Sequence, residues 1–347
     1  MSNFDNQDGY TPASQAALDA VEDLLKPRKK NFLERNFIPL KRDSKREKTR
    51  KVILDILLVI MLACVLILLY EYVYLPHRIQ SDIDDLIYIH NQTNSNQPTQ
   101  PGGASETVIP LSDEKLKAIN SDYIGWLKVP GADIELPIVK TTDNEAYLTL
   151  NFYKQKSKYG NPFLDYRCSL DPVSDNLVIY GHHMKDGNMF GKLKNYRSAS
   201  TFSKNPIITL QLPGRVYQYK IISVFVTNGV ATDDNGYIFH FDAQAFPTED
   251  NFNGFIHQLN QRTLYRTGVD VRYGDHLITL QTCEYDFADA VLIVIGRQVR
   301  QGESLEIDKS KITQNSNPRY PQALYDKRGR ENPYRNAERW YPGPGNQ

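Results

Sequence analysis

The chain is poor in cysteine and carries no excess of charge of either sign. Three cysteines, Cys64, Cys168 and Cys283, among 347 residues are too few for a disulfide framework. No CxxC or Cys/His spacing suits a structural zinc. Lysine plus arginine equals aspartate plus glutamate, 41 each, so net charge gives no ground for a nucleic-acid partner and only its distribution informs. No carboxylate cluster of the calcium-binding kind is visible. The sequence therefore predicts no metal and no cofactor.

What the chain does have is one long apolar run. From Val52 to Tyr70 it reads VILDILLVIMLACVLILLY, interrupted only by Asp55, and as a helix it spans roughly 30 Å, the thickness of a bilayer core. KRDSKREKTRK (41–51) precedes it with seven basic and two acidic side chains, whereas Glu71 to Asp85 holds one arginine and four acids. That asymmetry predicts a cytoplasmic N-terminus and an extracellular remainder. A cleaved signal peptide fits poorly, because the run begins far into the chain and no small-residue cleavage site follows. Cys64 falls within the run as an apolar, membrane-facing residue.

These shifts in composition divide the chain into a basic cytoplasmic segment (1–51), a transmembrane helix (52–72) and an extracellular stalk and linker (73–110). A folded domain (111–303) and a polar tail (304–347) follow. A short helix is expected over 13–25, ending at Pro27, and an amphipathic one over 76–89. NQTNSNQPTQPGGASET (91–107) reads as a flexible linker. The domain opens with a helix in LSDEKLKAIN. Strand patterns then follow around the Pro130–Gly131 turn and at 176–180, 207–212, 216–227, 276–281 and 291–299, and LPGR (212–215) reads as a hairpin turn. FNGFIHQLNQRTL (252–264) places Phe252, Phe255, Ile256 and Leu259 at helical spacing. Many strands and few helices predict a mainly β domain closed into a barrel. The tail, rich in Asn, Pro, Arg and Tyr with few aliphatic residues, is expected to be disordered or to lie along the cell wall or a partner.

HLITLQTCEYDF (276–287) places Cys283 where an apolar run ends beside Glu284 and Asp286. A lone cysteine is most simply a small buried hydrophobe, yet an idle exposed thiol outside the cell is a liability. A nucleophilic cysteine needs a general acid and base. His182 and His183 stand at the end of another strand, in NLVIYGHHMKDGNMF, where Gly181 suits a tight turn that presents an imidazole. Cys168, in LDYRCS, reads as a partly buried structural thiol. A disulfide from it to Cys283 would disable the nucleophile.

TLQTC, YGHHM about a hundred residues before it, and the N-terminal anchor together resemble the sortases, cysteine transpeptidases of Gram-positive cell surfaces. The likeness runs from Asn120 to Arg300 through SDYIGWLKVPGADIELPIVKTTDNEAYL, FYKQKSKYGNPFLDYR, IYGHHMKDGNMFGKLKNY and ITLQTCEYDFADA. The helix inserted before the cysteine strand is similar to class B members. The resemblance implies a closed sortase-type β-barrel in which Cys283 attacks the carbonyl after threonine in a sorting motif and forms a thioester. It implies His182 as acid and then base, His183 as a shaper of the loop, and Thr282 and Glu284 as groove residues. The implied partners are surface or pilus proteins bearing the motif, an amine of peptidoglycan or a pilin lysine, and the lipid bilayer. The chain departs from the family at one position: where an arginine commonly follows Asp-Ala, it has Val291 after Asp289 and Ala290. Arg297 shares that strand face but lies roughly 20 Å along it, and Arg167 and Arg272 are other candidates. The departure makes a weakly active or non-catalytic binder of sorting signals the competing expectation.

Overall fold

The computed structural model describes residues 16, 19–21, 31–94 and 111–346. Most of the helix expected over 13–25 and of the 91–107 linker therefore lies outside the described residues. Two compact units, Met1–Leu75 and Pro76–Gln347, are taken in turn.

In the first unit, α1 (Phe32–Asn36) and α2 (Lys45–Leu69) each begin with a capping box, Asn31 with Glu34 and Ser44 with Glu47. The reciprocal bonds occupy backbone N–H groups that have no partner within the helix. The apolar stretch of α2 exposes its side chains all round. It is long and apolar enough to cross a membrane once.

The second unit opens with α3 (Leu75–Asn94) and α4 (Leu111–Ile119). Helix α3 buries Ile79, Leu86 and His90, whose ring stacks flat on Trp126 at 4.2 Å. The strands are β1 (Tyr123–Val129), β2 (Ile134–Val139), β3 (Phe163–Leu164), β4 (Asn176–Tyr180), β5 (Ile207–Leu212), β6 (Arg215–Asn228), β7 (Tyr265–Arg266), β8 (Leu277–Cys283), β9 (Ala290–Gln298) and β10 (Thr313–Gln314). Helices α5 (Ala146–Thr149), α6 (Ala199–Lys204), α7 (Glu249–Arg262) and α8 (Gln322–Lys327) lie between or after them. Eight strands close a barrel in the order β1-β2-β3-β4-β8-β9-β6-β5, with β5 pairing back to β1. Closure leaves the barrel without a free edge.

The β5–β6 hairpin turns at LPGR, with Leu212 opposite Arg215. The helix read at 252–264 runs from Glu249 to Arg262, capped by Thr248, and buries Phe252, Phe255 and Leu259. These rings join Phe225, Phe239, Phe246, Val291, Ile293 and Trp340 in an aromatic-rich layer outside the barrel wall.

The tail corrects its expectation. Residues 304–346 are ordered against the domain, with Leu324, Tyr325 and Trp340 buried. Trp340 donates from its indole nitrogen to Asn251 O at 2.9 Å. Arg319, also buried, donates to the side-chain oxygens of Gln258 (3.2 Å) and Gln261 (3.0 Å) and to Glu338 O (2.9 Å). Counting aliphatic residues failed here because aromatic rings and hydrogen-bonded Arg, Asn and Gln side chains supply the interface instead.

Candidate active site

β4 and β8 run parallel in a register that pairs Asn176 with Leu277 and Tyr180 with Gln281. One step beyond, Gly181 N still bonds Gln281 O at 3.1 Å. Two steps beyond stand His182 and Cys283. Thr279 Oγ1 donates to Asn176 Oδ1 at 2.9 Å, which fixes the two side chains on a common face of the sheet. β8 keeps that face as far as Cys283, and His182 stands two residues beyond the end of β4. The polypeptides are still side by side there, because His183 Nδ1 donates to Cys283 O at 2.7 Å.

Two glycines make room for this arrangement. A Cβ on Gly181 would stand 2.6 Å from the ring of Phe190, so no other residue fits at the strand's exit. Gly160 has φ +60°, and a Cβ there would come within 2.4 Å of Tyr147 O and 3.0 Å of His182 Cδ2. It thus shapes one wall of the imidazole's slot. His182 Nε2 donates to Leu148 O at 2.8 Å. A carbonyl only accepts, so the proton sits on Nε2 and Nδ1 is the nitrogen left to take one.

Cys283 is exposed, while Cys168 is buried. Desolvation, with a smaller contribution from the Asp289 carboxylate, raises the pKa of the Cys283 thiol. Burial pushes Cys168 up to about 12, and its sulfur is engaged by the peptide groups of Asn176 and Val178. It is a structural thiol, separate from the surface one. Thr282 is buried on the opposite face from Cys283, and its hydroxyl finds no partner among the described residues. Glu284 is nearly buried and pairs with Arg197, Nη1 to Oε2 at 3.3 Å. His183 is buried against the Tyr285 ring, centroids 4.9 Å apart. Of the residues singled out in the sequence, the structure brings the His183 ring onto the Cys283 peptide, leaves His182 two residues past the last β4–β8 pair with Cys283 exposed at the end of β8, and buries the Thr282 side chain.

The arginine question resolves in part. Val291 lies directly opposite Cys283 on β9 and is buried in the outer apolar layer. Arg297 faces Leu277 at the far end of the strand, fully buried and bound to Glu303. Arg167 is held by Asp165 and Asp242, each at 2.7 Å. Arg272 sits in the turn with Asp275 that leads into β8, away from its Cys283 end. The guanidinium that does reach the nucleophile's neighbours is Arg197, 2.9 Å from Asp286 as well as 3.3 Å from Glu284. Sequence reasoning missed it, because it comes from the β4–β5 connection and no local pattern marks it.

A closed eight-stranded barrel with a surface thiol and an imidazole on neighbouring strand ends is the frame of a thiol-dependent acyl transferase. A sortase-domain model matches residues 127–299. Sortase B of Listeria monocytogenes is 31 % identical over 186 residues, covering 53 % of this chain and 72 % of that protein. Sortase B of Staphylococcus aureus is 28 % identical over 189 residues, 54 % and 74 % of the two chains. The solved Staphylococcus aureus sortase B–substrate complex shares the fold, with a TM-score of 0.56 at 23 % identity over 65 % of this chain and 98 % of that one. The chain belongs to the sortase family and is an enzyme of the sortase B type, with the family's cysteine-dependent transpeptidase mechanism in general.

Proposed function

We propose that Cys283 is the nucleophile and His182 the acid and base of a reaction that moves a surface protein onto an amine. The thiol gives its proton to His182 Nδ1, and sulfur attacks the carbonyl after threonine in a sorting motif. As the peptide bond breaks, the imidazolium protonates the departing amine and a thioester remains. An amine of peptidoglycan, or a pilin lysine, then yields a proton to the imidazole and displaces sulfur as thiolate, and the imidazolium returns that proton to sulfur, so the enzyme is regenerated. The observation that supports this reading is the parallel β4–β8 register, whose last pair, Tyr180 with Gln281, lies two residues before His182 and the exposed Cys283. The charge asymmetry around the span supports a cytoplasmic N-terminus with the barrel outside the cell.

Val291 favours a slower variant of the same chemistry. Loss of one oxyanion donor costs roughly 3–4 kcal/mol, on the order of a hundredfold or more in rate, and the position opposite Cys283 has an isopropyl group where the family has a guanidinium. The test is intact mass of the protein incubated with a panel of sorting-motif peptides, beside Cys283→Ala and His182→Ala. The expected result is a thioester adduct in the native protein and none in Cys283→Ala. A folded protein that binds a peptide yet never acquires the adduct would move the reading to a non-catalytic binder of sorting signals.

A further inference from the structure

Lys51 is the last residue before the apolar run, and it is 1 % exposed. Its ammonium has three protons, and each has an acceptor: Ile38 O at 2.9 Å, Asp43 Oδ2 at 2.7 Å, and Glu34 O. Asp43 in turn accepts from Leu40 N at 2.9 Å, and Arg50 Nη2 donates to Arg35 O at 3.1 Å. The charge at the membrane entry point is thereby compensated by protein oxygens rather than by water or lipid. The same bonds hold α1 and the turn after it within hydrogen-bond reach of that entry point. Phe32, Leu33 and Ile38 are left 72 %, 55 % and 46 % exposed at this level.

An open groove of about 610 Å³ runs along one face of α2, lined by Lys45, Arg46, Thr49 and Arg50 and then by Ile53 and Leu54. The steps of four and eight residues keep these side chains in one stripe. Cations occupy the end that leads into the membrane, and aliphatic side chains continue from them into the span. Lys45 and Arg46 lie in the first turn of α2 beside Glu47, whose carboxylate is engaged in the capping box with Ser44. Among the described residues, the groove's charged lining is wholly cationic.

We propose that this groove binds one anionic glycerophospholipid of the leaflet that meets the N-terminal end of the span. Its phosphate lies among Lys45, Arg46 and Arg50, and an acyl chain runs along Ile53 and Leu54. Phe32, Leu33 and Ile38 rest in the same boundary layer. Lys51, with its donors used internally, takes no part in binding and acts as the fastener that holds the collar in place. Continuity with the span and complementarity of charge select a bilayer lipid over a soluble anion.

The experiment is native mass spectrometry of the full chain, released from nanodiscs containing equal phosphatidylglycerol and phosphatidylcholine. Each surface cation near an anionic headgroup contributes roughly fivefold. Lys45→Gln/Arg46→Gln should therefore reduce retained phosphatidylglycerol by about twentyfold relative to phosphatidylcholine. Lys41→Gln/Lys48→Gln removes the same charge outside the groove lining and should lower the ratio distinctly less than the Lys45/Arg46 pair. Equal retention of both lipids by the native protein would overturn the proposal. So would a loss in the Lys41/Lys48 variant as large as in the Lys45/Arg46 variant, since attraction would then be a matter of total charge and not of a site.

Discussion

At the scale of single residues, two thiols in one domain face opposite fates. Cys168 is buried with its pKa at about 12, while Cys283 is exposed with a more modest rise. Limiting iodoacetamide should therefore alkylate Cys283 and spare Cys168, which peptide mapping would show. Because the Asp289 carboxylate disfavours the thiolate, Asp289→Asn should lower the Cys283 pKa. The pH profile of alkylation should then move to lower pH, and a profile that stayed in place would contradict the assigned cause. The strand ends beside Cys283 and His182 were legible in the sequence because the apolar patterns at 276–281 and 176–180 stop there, and the roles proposed for the two residues came from the sortase resemblance. Arg197 was not legible. Its contacts with Glu284 and Asp286 depend on a connection of irregular backbone that folds across more than eighty positions of sequence, and no periodicity encodes such a meeting.

Among the elements, the long strands could be read and the short ones could not. β6, β8 and β9 run for 14, 7 and 9 residues and are rich in β-branched and apolar side chains, whereas β3 is two residues, Phe163 and Leu164, in a stretch too short for any period. Its place is set by its neighbours, parallel to β2 and antiparallel to β4. Helix α3 was legible as amphipathic, but not its partner: His90 stacked on Trp126. Desolvation, larger than the opposed influences of Glu135 and Lys128, lowers the His90 pKa from 6.5 to about 4. The folded pKa lies below the unfolded one, so this contact's stabilisation is full above about pH 6.5 and declines as the pH falls towards about 4. Tryptophan emission of the protein should change across that window before global unfolding, and His90→Phe should flatten the change. An identical acid transition in His90→Phe would place its origin elsewhere.

For the whole molecule, the family match ends at residue 299 while packing continues to residue 346. Trp340 closes the aromatic layer against Phe239, Phe246 and Phe255. Lys327 donates to Asp286 O in the loop that follows Cys283. Trp340→Ala should cost about 3–5 kcal/mol, read as a fall in the denaturant midpoint. Removal of residues 304–347 should lower the midpoint further and raise the exposure of the 284–289 loop to proteolysis. A chain cut after residue 303 with unchanged stability would return the tail to the dispensable status that its composition suggested. Hydropathy could not reveal this docking, because the tail's apolar content lies in a few widely spaced rings whose partners are over eighty residues away.

Asn346 bonds the peptide groups of Gln244 and Ala245, at 2.6 Å and 3.0 Å, on the connection between β6 and α7. Residues translated after every strand of the barrel thus complete a layer begun a hundred positions earlier. On an elongating chain, the wall of β6 and β9 has an unsealed aromatic flank for as long as those residues are missing. Folding of this domain is therefore a matter of timing as well as affinity: its closing step waits for a segment made after the barrel strands, and a helper that shields aromatic surface has its use in that interval.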